Sequence, residues 1–422
     1  MPEAGDYYRA TSPAIAIPPL LGQVETAVCI IGAGFAGLST ALALAERGVT
    51  DIVLLEAHSV GHGASGRNGG FVFGGFSLGE RAVIDTVGEK DGRKLYHMTL
   101  DAVALIRRRI HQYGIDCEMR EEGVYLANWF DDPRILDQRQ RFMRDKLGVE
   151  WERLERAALA DKLLSDRYFG ALFEPGAFHF HPLKYAQGLA LVLTNIGIRI
   201  YEHSKVTSVA PDGAGWRIAT AAGSVRAREV VVCCGGYIEK LYPRLGSAVL
   251  PIATYVMVTE PLGERLAGAI GTGAAVYDTR FAFDYYRPLA DSRILWGGRI
   301  AIRERSSADV ARLLCGDMLK VYPQLAGTKV DYAWSGMMSY GRHKMPQLGR
   351  LPEGIWYGMG FGGHGVAPTT LAGEVLAAAI MGEGSDMARF TSWGLPSTGG
   401  PAGLLAAQLA YWYYEMRDWM RQ

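Results

Sequence analysis

The segment Ala27–Ile31 is an unbroken apolar run ended by Gly32, the pattern of a strand buried on both faces. Leu38 to Arg47 follows with Ala, Leu and Glu at helical spacing, Gly48 is placed to cap it, and Ile52–Glu56 reads as a second buried strand. Together they predict one βαβ unit. Residues 91–150 read as charged amphipathic helices around a short strand near Gly123 to Ala127. Between Gly197 and Gly236 the pattern changes to short strands parted by Gly and Asp turns: Ile198–Tyr201, Lys205–Val209, Trp216–Thr220 and Val230–Cys233. Residues 251–300 predict longer antiparallel strands, among them Phe281–Tyr286 and Ile294–Trp296. After Trp356–Gly360 come a second Gly-rich turn and a helix from about Pro368 to Met381.

Composition narrows what such a chain can do. With 422 residues and 49% hydrophobic content it can bury a core in two or three domains, which excludes disorder. Lys+Arg 44 balances Asp+Glu 44, and no basic block offers the footprint of a nucleic-acid binder. Five cysteines at 29, 117, 233, 234 and 315 lack metal-ligand spacing, so neither a metal site nor a disulfide framework is expected. Residues 1–8 carry no basic region followed by an apolar one, and no apolar run approaches the roughly 18 residues that span a bilayer. The expectation is a cytoplasmic protein. The 53 glycines cluster, which suggests backbone-lined sites for a large cofactor.

The first cluster is Gly32-Ala-Gly34-Phe35-Ala36-Gly37, directly after a strand and opening a helix, with Glu56 and Ala57 at the end of the next strand. Gly32 permits the tight turn, Gly34 the approach of a pyrophosphate, Gly37 close helix packing, and Glu56 can accept hydrogen bonds from a ribose diol. That arrangement reads as a dinucleotide fingerprint and does not by itself separate NAD from FAD. The second cluster, Gly61-His-Gly63-Ala64-Ser65-Gly-Arg67-Asn68-Gly69-Gly70, leaves the backbone free to pass beneath a flat ring system.

With this segment the chain resembles the FAD-dependent amine and amino-acid oxidoreductases of the D-amino-acid oxidase superfamily, in particular the γ-glutamylputrescine oxidoreductase-like branch. The resemblance implies non-covalent FAD and a two-domain α/β (α+β) fold. A discontinuous Rossmann-like FAD-binding domain (1–90, 151–236, 341–390) would carry a substrate domain of antiparallel sheet plus helices (91–150, 237–340) and a tail helix at 391–422. It places Ser65, Arg67 and Asn68 along the diphosphate and isoalloxazine. Cys234-Gly235-Gly236 resembles the glycine pair returning to the FAD domain, and Val206 the strand near the adenosine. Gly360-Phe-Gly362-Gly363-His364-Gly365-Val366 resembles the turn and helix start aimed at the flavin pyrimidine. The adjacent Cys233 and Cys234 read as small strand residues, with a redox pair as the rival reading; His62 is a candidate for a covalent flavin link.

The family's activity, oxidation of a C–N bond to an imine by hydride transfer to flavin N5 and then hydrolysis, is implied by resemblance. Substrate options are a γ-glutamylated diamine, a cyclic secondary amino acid such as pipecolate, or an ordinary amino acid, with O2 or a quinone as acceptor. Arg67 and His364 are candidate catalytic groups. In the aromatic strand Tyr277–Arg287 alternation sets Phe281, Phe283, Tyr285 and Arg287 on one face and Arg280, Asp284 and Tyr286 on the other; Tyr286 and Arg287 are candidates for substrate contact. Arg342 lies where some relatives place a carboxylate-binding arginine, although His343 departs from the family pattern and a solvated basic turn is the alternative. Rival functions are a 2-hydroxy acid oxidoreductase on the same fold and a non-catalytic electron-transfer module. A pyridine-nucleotide disulfide reductase would need a C-x4-C pair, which is not present. In the tail, Leu405, Leu409, Trp412, Met416 and Trp419 recur at helical spacing. Packing on its own domain, self-association and peripheral contact with the inner face of a membrane are the readings open for it.

Overall fold

The computed structural model describes residues 6–384 and 386–421; the extreme N-terminal reading and Gln422 lie outside the described residues. Two large sheets organise the chain. In the first, the order is Gln347–Arg350, Trp356–Met359, Gly223–Val232, Gly22–Ile31, Ile52–Leu55 and Arg199–Tyr201. All neighbours are parallel except the first pair. A meander of Ser208–Asp212 and Gly215–Ala219 extends Gly223–Val232. Helix Phe35–Ala45 has ten buried residues, and it packs with helix Val366–Ile380 on this sheet, so both read as apolar nearly all round.

The second sheet runs Val330–Gly341, Val249–Thr259, Ile294–Ala301, Asp284–Pro288, Ala275–Asp278, Val124–Ala127, Ala171–Glu174 and Glu152–Leu154. It is antiparallel except where Ala275–Asp278 meets Val124–Ala127. The segment 152–174 therefore belongs to this sheet, which corrects the expected boundary at 151. The helix Glu89–Tyr113 shifts the other way: its apolar face, including Met98, Ala102 and Ile106, joins the core around the first sheet.

Two local expectations are also corrected. The aromatic segment 277–287 is a hairpin: strand Ala275–Asp278 turns through residues 279–283 and returns as Asp284–Pro288. The turn is fixed by Arg280, which bridges Asp278 at 2.6 Å and Asp284 at 2.7 Å. Val206 lies in the loop before Ser208–Asp212, where the alternation of Lys205–Val209 suggested a strand.

Among the described residues no helix is long and apolar enough to cross a membrane.

Candidate active site

A cavity of about 1680 Å³ runs between the sheets, lined by both Gly-rich clusters, the 358–367 turn and the second sheet. The fingerprint has the backbone its glycines require. Gly32 sits at φ +106°, and a Cβ there would stand 2.7 Å from the Cys233 carbonyl oxygen. Gly37 packs so closely that a Cβ would come within 1.9 Å of the Gly32 carbonyl oxygen. Helix Phe35–Ala45 starts at Gly34 with no capping bond from Gly34 itself. Instead Ser65 Oγ accepts from the Phe35 N–H at 2.8 Å, tying the second Gly-rich segment to the helix start. Glu56 accepts from the Ala33 and His58 backbone N–H groups, both at 2.9 Å; burial raises its carboxyl above the ordinary range, and those bonds oppose the rise.

Of the expected cofactor residues, Gly32, Gly34, Phe35, Ala36, Glu56, Ala57, Gly63, Ala64, Ser65, Arg67, Asn68 and Gly69 line the cavity, as do Val206, Cys234, Gly235, Gly236 and 362–366. Gly37, Gly70 and Gly360 stand behind the lining. Gly70 and Gly360 have φ of +80° and +75° and supply turns.

Arg67 faces the cavity, donates to the Ser335 carbonyl at 3.1 Å, and makes no ion pair among the described residues; its buried Nε has no hydrogen-bond partner. An uncompensated guanidinium among backbone cradles suits an anionic, flat cofactor. Asn68 folds inward: Nδ2 donates to the Ala64 and Ser65 carbonyls and Oδ1 accepts from the Gly70 N–H.

Three consecutive carbonyls of this segment are each held by a distant side chain. Trp334 Nε1 donates to Arg67 O at 3.0 Å, the Tyr8 hydroxyl to Asn68 O at 2.9 Å, and Arg287 Nε to Gly69 O at 2.7 Å. Arg287 also donates to Phe180 O at 2.8 Å and is 2% exposed. It lies outside the cavity lining, which corrects its expected substrate contact: its fork is consumed by backbone. Tyr286 is corrected too. It is fully buried, stacked 4.3 Å from Trp296, and its hydroxyl bonds that of Tyr322. Arg287→Met is expected to lower the melting temperature and speed cofactor release on dilution, because buried acceptors left unpaired cost about 1–3 kcal/mol each; thermal melts and cofactor fluorescence check it.

His364 lines the cavity, and its Nε2 lies 2.8 Å from Gly74 O. Burial lowers its pKa, so the ring is neutral and donates to that carbonyl, which removes it as a source of positive charge. Arg342 lies at the rim, exposed and without an ion pair among the described residues. A solvated guanidinium anchors a carboxylate weakly. Arg342→Lys is therefore expected to leave the Michaelis constant within about threefold, the outcome of the solvated-turn alternative, which steady-state kinetics checks.

Sequence reasoning missed the polar wall made by Glu80, Arg139, Trp151 and Glu174, which come from four separate segments. Arg139 pairs with Glu80 at 2.7 Å, and Phe73 stands between His364 (4.4 Å) and Tyr277 (5.6 Å). It also missed Gln408, Tyr411 and Tyr414, by which the C-terminal helix Gly400–Met420 closes another side.

The family described as FAD-dependent oxidoreductase (DAO) matches residues 27–379. The chain belongs to this family. It is an FAD-dependent oxidoreductase, and the lining above fits that cofactor. It is 36% identical over 419 residues to γ-glutamylputrescine oxidoreductase of Escherichia coli, covering 98% of this chain and 97% of that protein. It is 34% identical over 423 residues to a probable oxidoreductase, OrdL, of Haemophilus influenzae, covering 98% and 96%. Among solved structures, glycine oxidase from Geobacillus kaustophilus superposes with a TM-score of 0.73 at 22% identity, covering 87% of this chain and 98% of that one. That match shows the shared fold, a Rossmann-like FAD domain with a substrate domain.

Proposed function

We propose that this oxidoreductase oxidises the C–N bond of an amine or amino acid to an imine, which water then hydrolyses, and that its substrate is a γ-glutamylputrescine-like amine. The observation that carries the reading is 36% identity, end to end, to an enzyme of that name. When bound, FAD supplies the acceptor for the hydride leaving the substrate's α C–H. The chain's own residues hold and shield the reactants. Gly32, Gly34 and the start of helix Phe35–Ala45 take the pyrophosphate, and Glu56 the ribose. Arg67 and the uncapped N–H groups opening helix Val366–Ile380 supply positive potential on the cavity wall. Phe73, Tyr277, Tyr285, Met337 and Met338 give the cavity apolar surface, which favours the neutral amine that hydride departure requires.

The FAD is read as non-covalent. Burial pushes the Cys233 thiol up to about 12, keeping it protonated and unreactive, and lowers His62 to about 4 while its Nδ1 faces Arg9. Acid precipitation is expected to release the flavin into the supernatant. The partner reading, in which the C-terminal helix meets lipid or a second copy of the chain, rests on its outward apolar stripe; liposome flotation and light scattering separate the two.

Anaerobic addition of γ-glutamylputrescine is expected to bleach the flavin, while pipecolate and 2-hydroxy acids do so at least tenfold less efficiently. Bleaching by hydroxy acids and by no amine overturns the reading.

A further inference from the structure

Glu174 ends the strand Ala171–Glu174 and lines the cavity, yet it is only 8% exposed and makes no ion pair among the described residues. The Gly74 backbone N–H donates to it, but no cation of the described residues pairs with it. Arg139, the cation on the same wall, is already engaged: it pairs with Glu80 at 2.7 Å and lies 5.2 Å from the Trp151 ring centre. With Glu174 ionised, Glu80, Arg139 and Glu174 together carry one uncompensated negative charge. Trp151 and Tyr277 share the wall and present aromatic surface, the other feature that favours a cation in a desolvated place. A buried carboxylate without a counterion costs stability, and is compensated when a ligand brings the missing charge.

We propose that Glu174 binds a second, non-reacting ammonium group of the substrate, so that the cavity selects an amine bearing an amino-acid head at its far end. The inference rests on the amine reading above and names the substrate class within it. The ammonium is the counterion that Glu174 lacks, while Arg139 stays paired with Glu80.

The titration of the site sets the pH condition for this binding. Burial, with Glu80 adding to it, raises the Glu174 carboxyl to about 8, against the opposing charge of Arg139. Tyr96 and Tyr277, the other titratable groups facing it, have their own pKa values raised by burial and are neutral; His364, near Glu80, is neutral as well. Binding a cation therefore requires loss of the Glu174 proton, and becomes easier as pH rises toward 8.

The test compares two substrates of the FAD-loaded enzyme: γ-glutamylputrescine, and the glutaryl analogue that keeps the terminal carboxylate but lacks the α-amino group. Wild type is expected to show a KM at least tenfold higher for the analogue, and Glu174→Gln to collapse that ratio toward one. A ratio that survives the substitution overturns the proposal. Should Glu174→Gln fail to fold, the wild-type ratio measured from pH 6 to pH 8 decides: it is expected to rise with pH, and a flat ratio overturns the proposal. If neither compound bleaches the wild-type flavin, the γ-glutamylputrescine-like substrate reading itself fails, an outcome distinct from equal turnover of both.

Discussion

Gly37→Val is expected to yield a protein that purifies without visible flavin absorbance, or does not fold. A Cβ at Gly37 would lie 1.9 Å from the Gly32 carbonyl oxygen and 3.3 Å from Ile30 Cγ2. The nearer of these is backbone in the turn that receives the pyrophosphate, held in place by the Gly32 N–H donating to Leu55 O at 2.8 Å. Relief requires lifting helix Phe35–Ala45 off the strand or opening the turn, and either removes the cradle. Overpacking of this kind costs about 1–3 kcal/mol or more even where side chains can yield. Gly316→Ala provides the contrast: that site lies in helix Ser307–Val321, nothing stands within 4 Å of the added methyl, and colour and melting temperature are expected to hold or rise slightly. Absorbance of the purified proteins and thermal melts separate the two. A yellow, stable Gly37→Val protein would remove the fingerprint from the cofactor site.

The fingerprint was legible because its constraints are local. A positive φ at Gly32 and a missing Cβ at Gly37 are requirements of a few adjacent residues, and glycine marks them directly. The buried part of the strand Gly22–Ile31, Ala27–Ile31, and the strand Ile52–Leu55 were equally legible, since burial on both faces leaves an unbroken apolar run, whereas the exposed, polar-rich start at 22–25 gave no such signal. Arg287 and Tyr286 were misread because alternation says which residues share a face but not what each meets. Arg287 shares the face of Tyr285, which lines the cavity, yet lies two residues farther along, where the Gly69 and Phe180 carbonyls take its donors. The wall of Glu80, Arg139 and Glu174 left no local signal at all: its members lie far apart in sequence and are joined only by folding.

The tail's helix and its apolar stripe were legible but the face it buries was not, and it carries the second large prediction. Leu405, Leu409, Trp412, Met416 and Trp419 do form one stripe of helix Gly400–Met420, but that stripe faces outward, with Trp412 55% and Trp419 72% exposed. The buried positions are Gln408, Tyr411 and Asp418. The inversion follows from what the helix covers. Beneath it lie unpaired donors of the second sheet and its hairpin turn, which polar side chains satisfy and leucines would not. Asp418 Oδ2 accepts from the Phe281 N–H at 2.7 Å and the Ala282 N–H at 3.2 Å, Gln408 Oε1 accepts from the Ile302 N–H at 3.2 Å, and Glu415 pairs with Arg299.

Truncation before Gly400 therefore strips acceptors from buried backbone and opens the side of the cavity that Tyr411 and Tyr414 close. Charged acceptors on N–H groups are worth about 1.5–3 kcal/mol each, so a fall in melting temperature of roughly 5 °C or more is expected. Flavin fluorescence should become quenchable by iodide, and KM should rise through loss of enclosure. Asp418→Asn, which keeps the shape but weakens the acceptor, is expected to reproduce part of the thermal loss while leaving the flavin shielded. A truncated enzyme with unchanged melting temperature and unquenched flavin would show that the helix is dispensable to the cavity, leaving its outward stripe as its function.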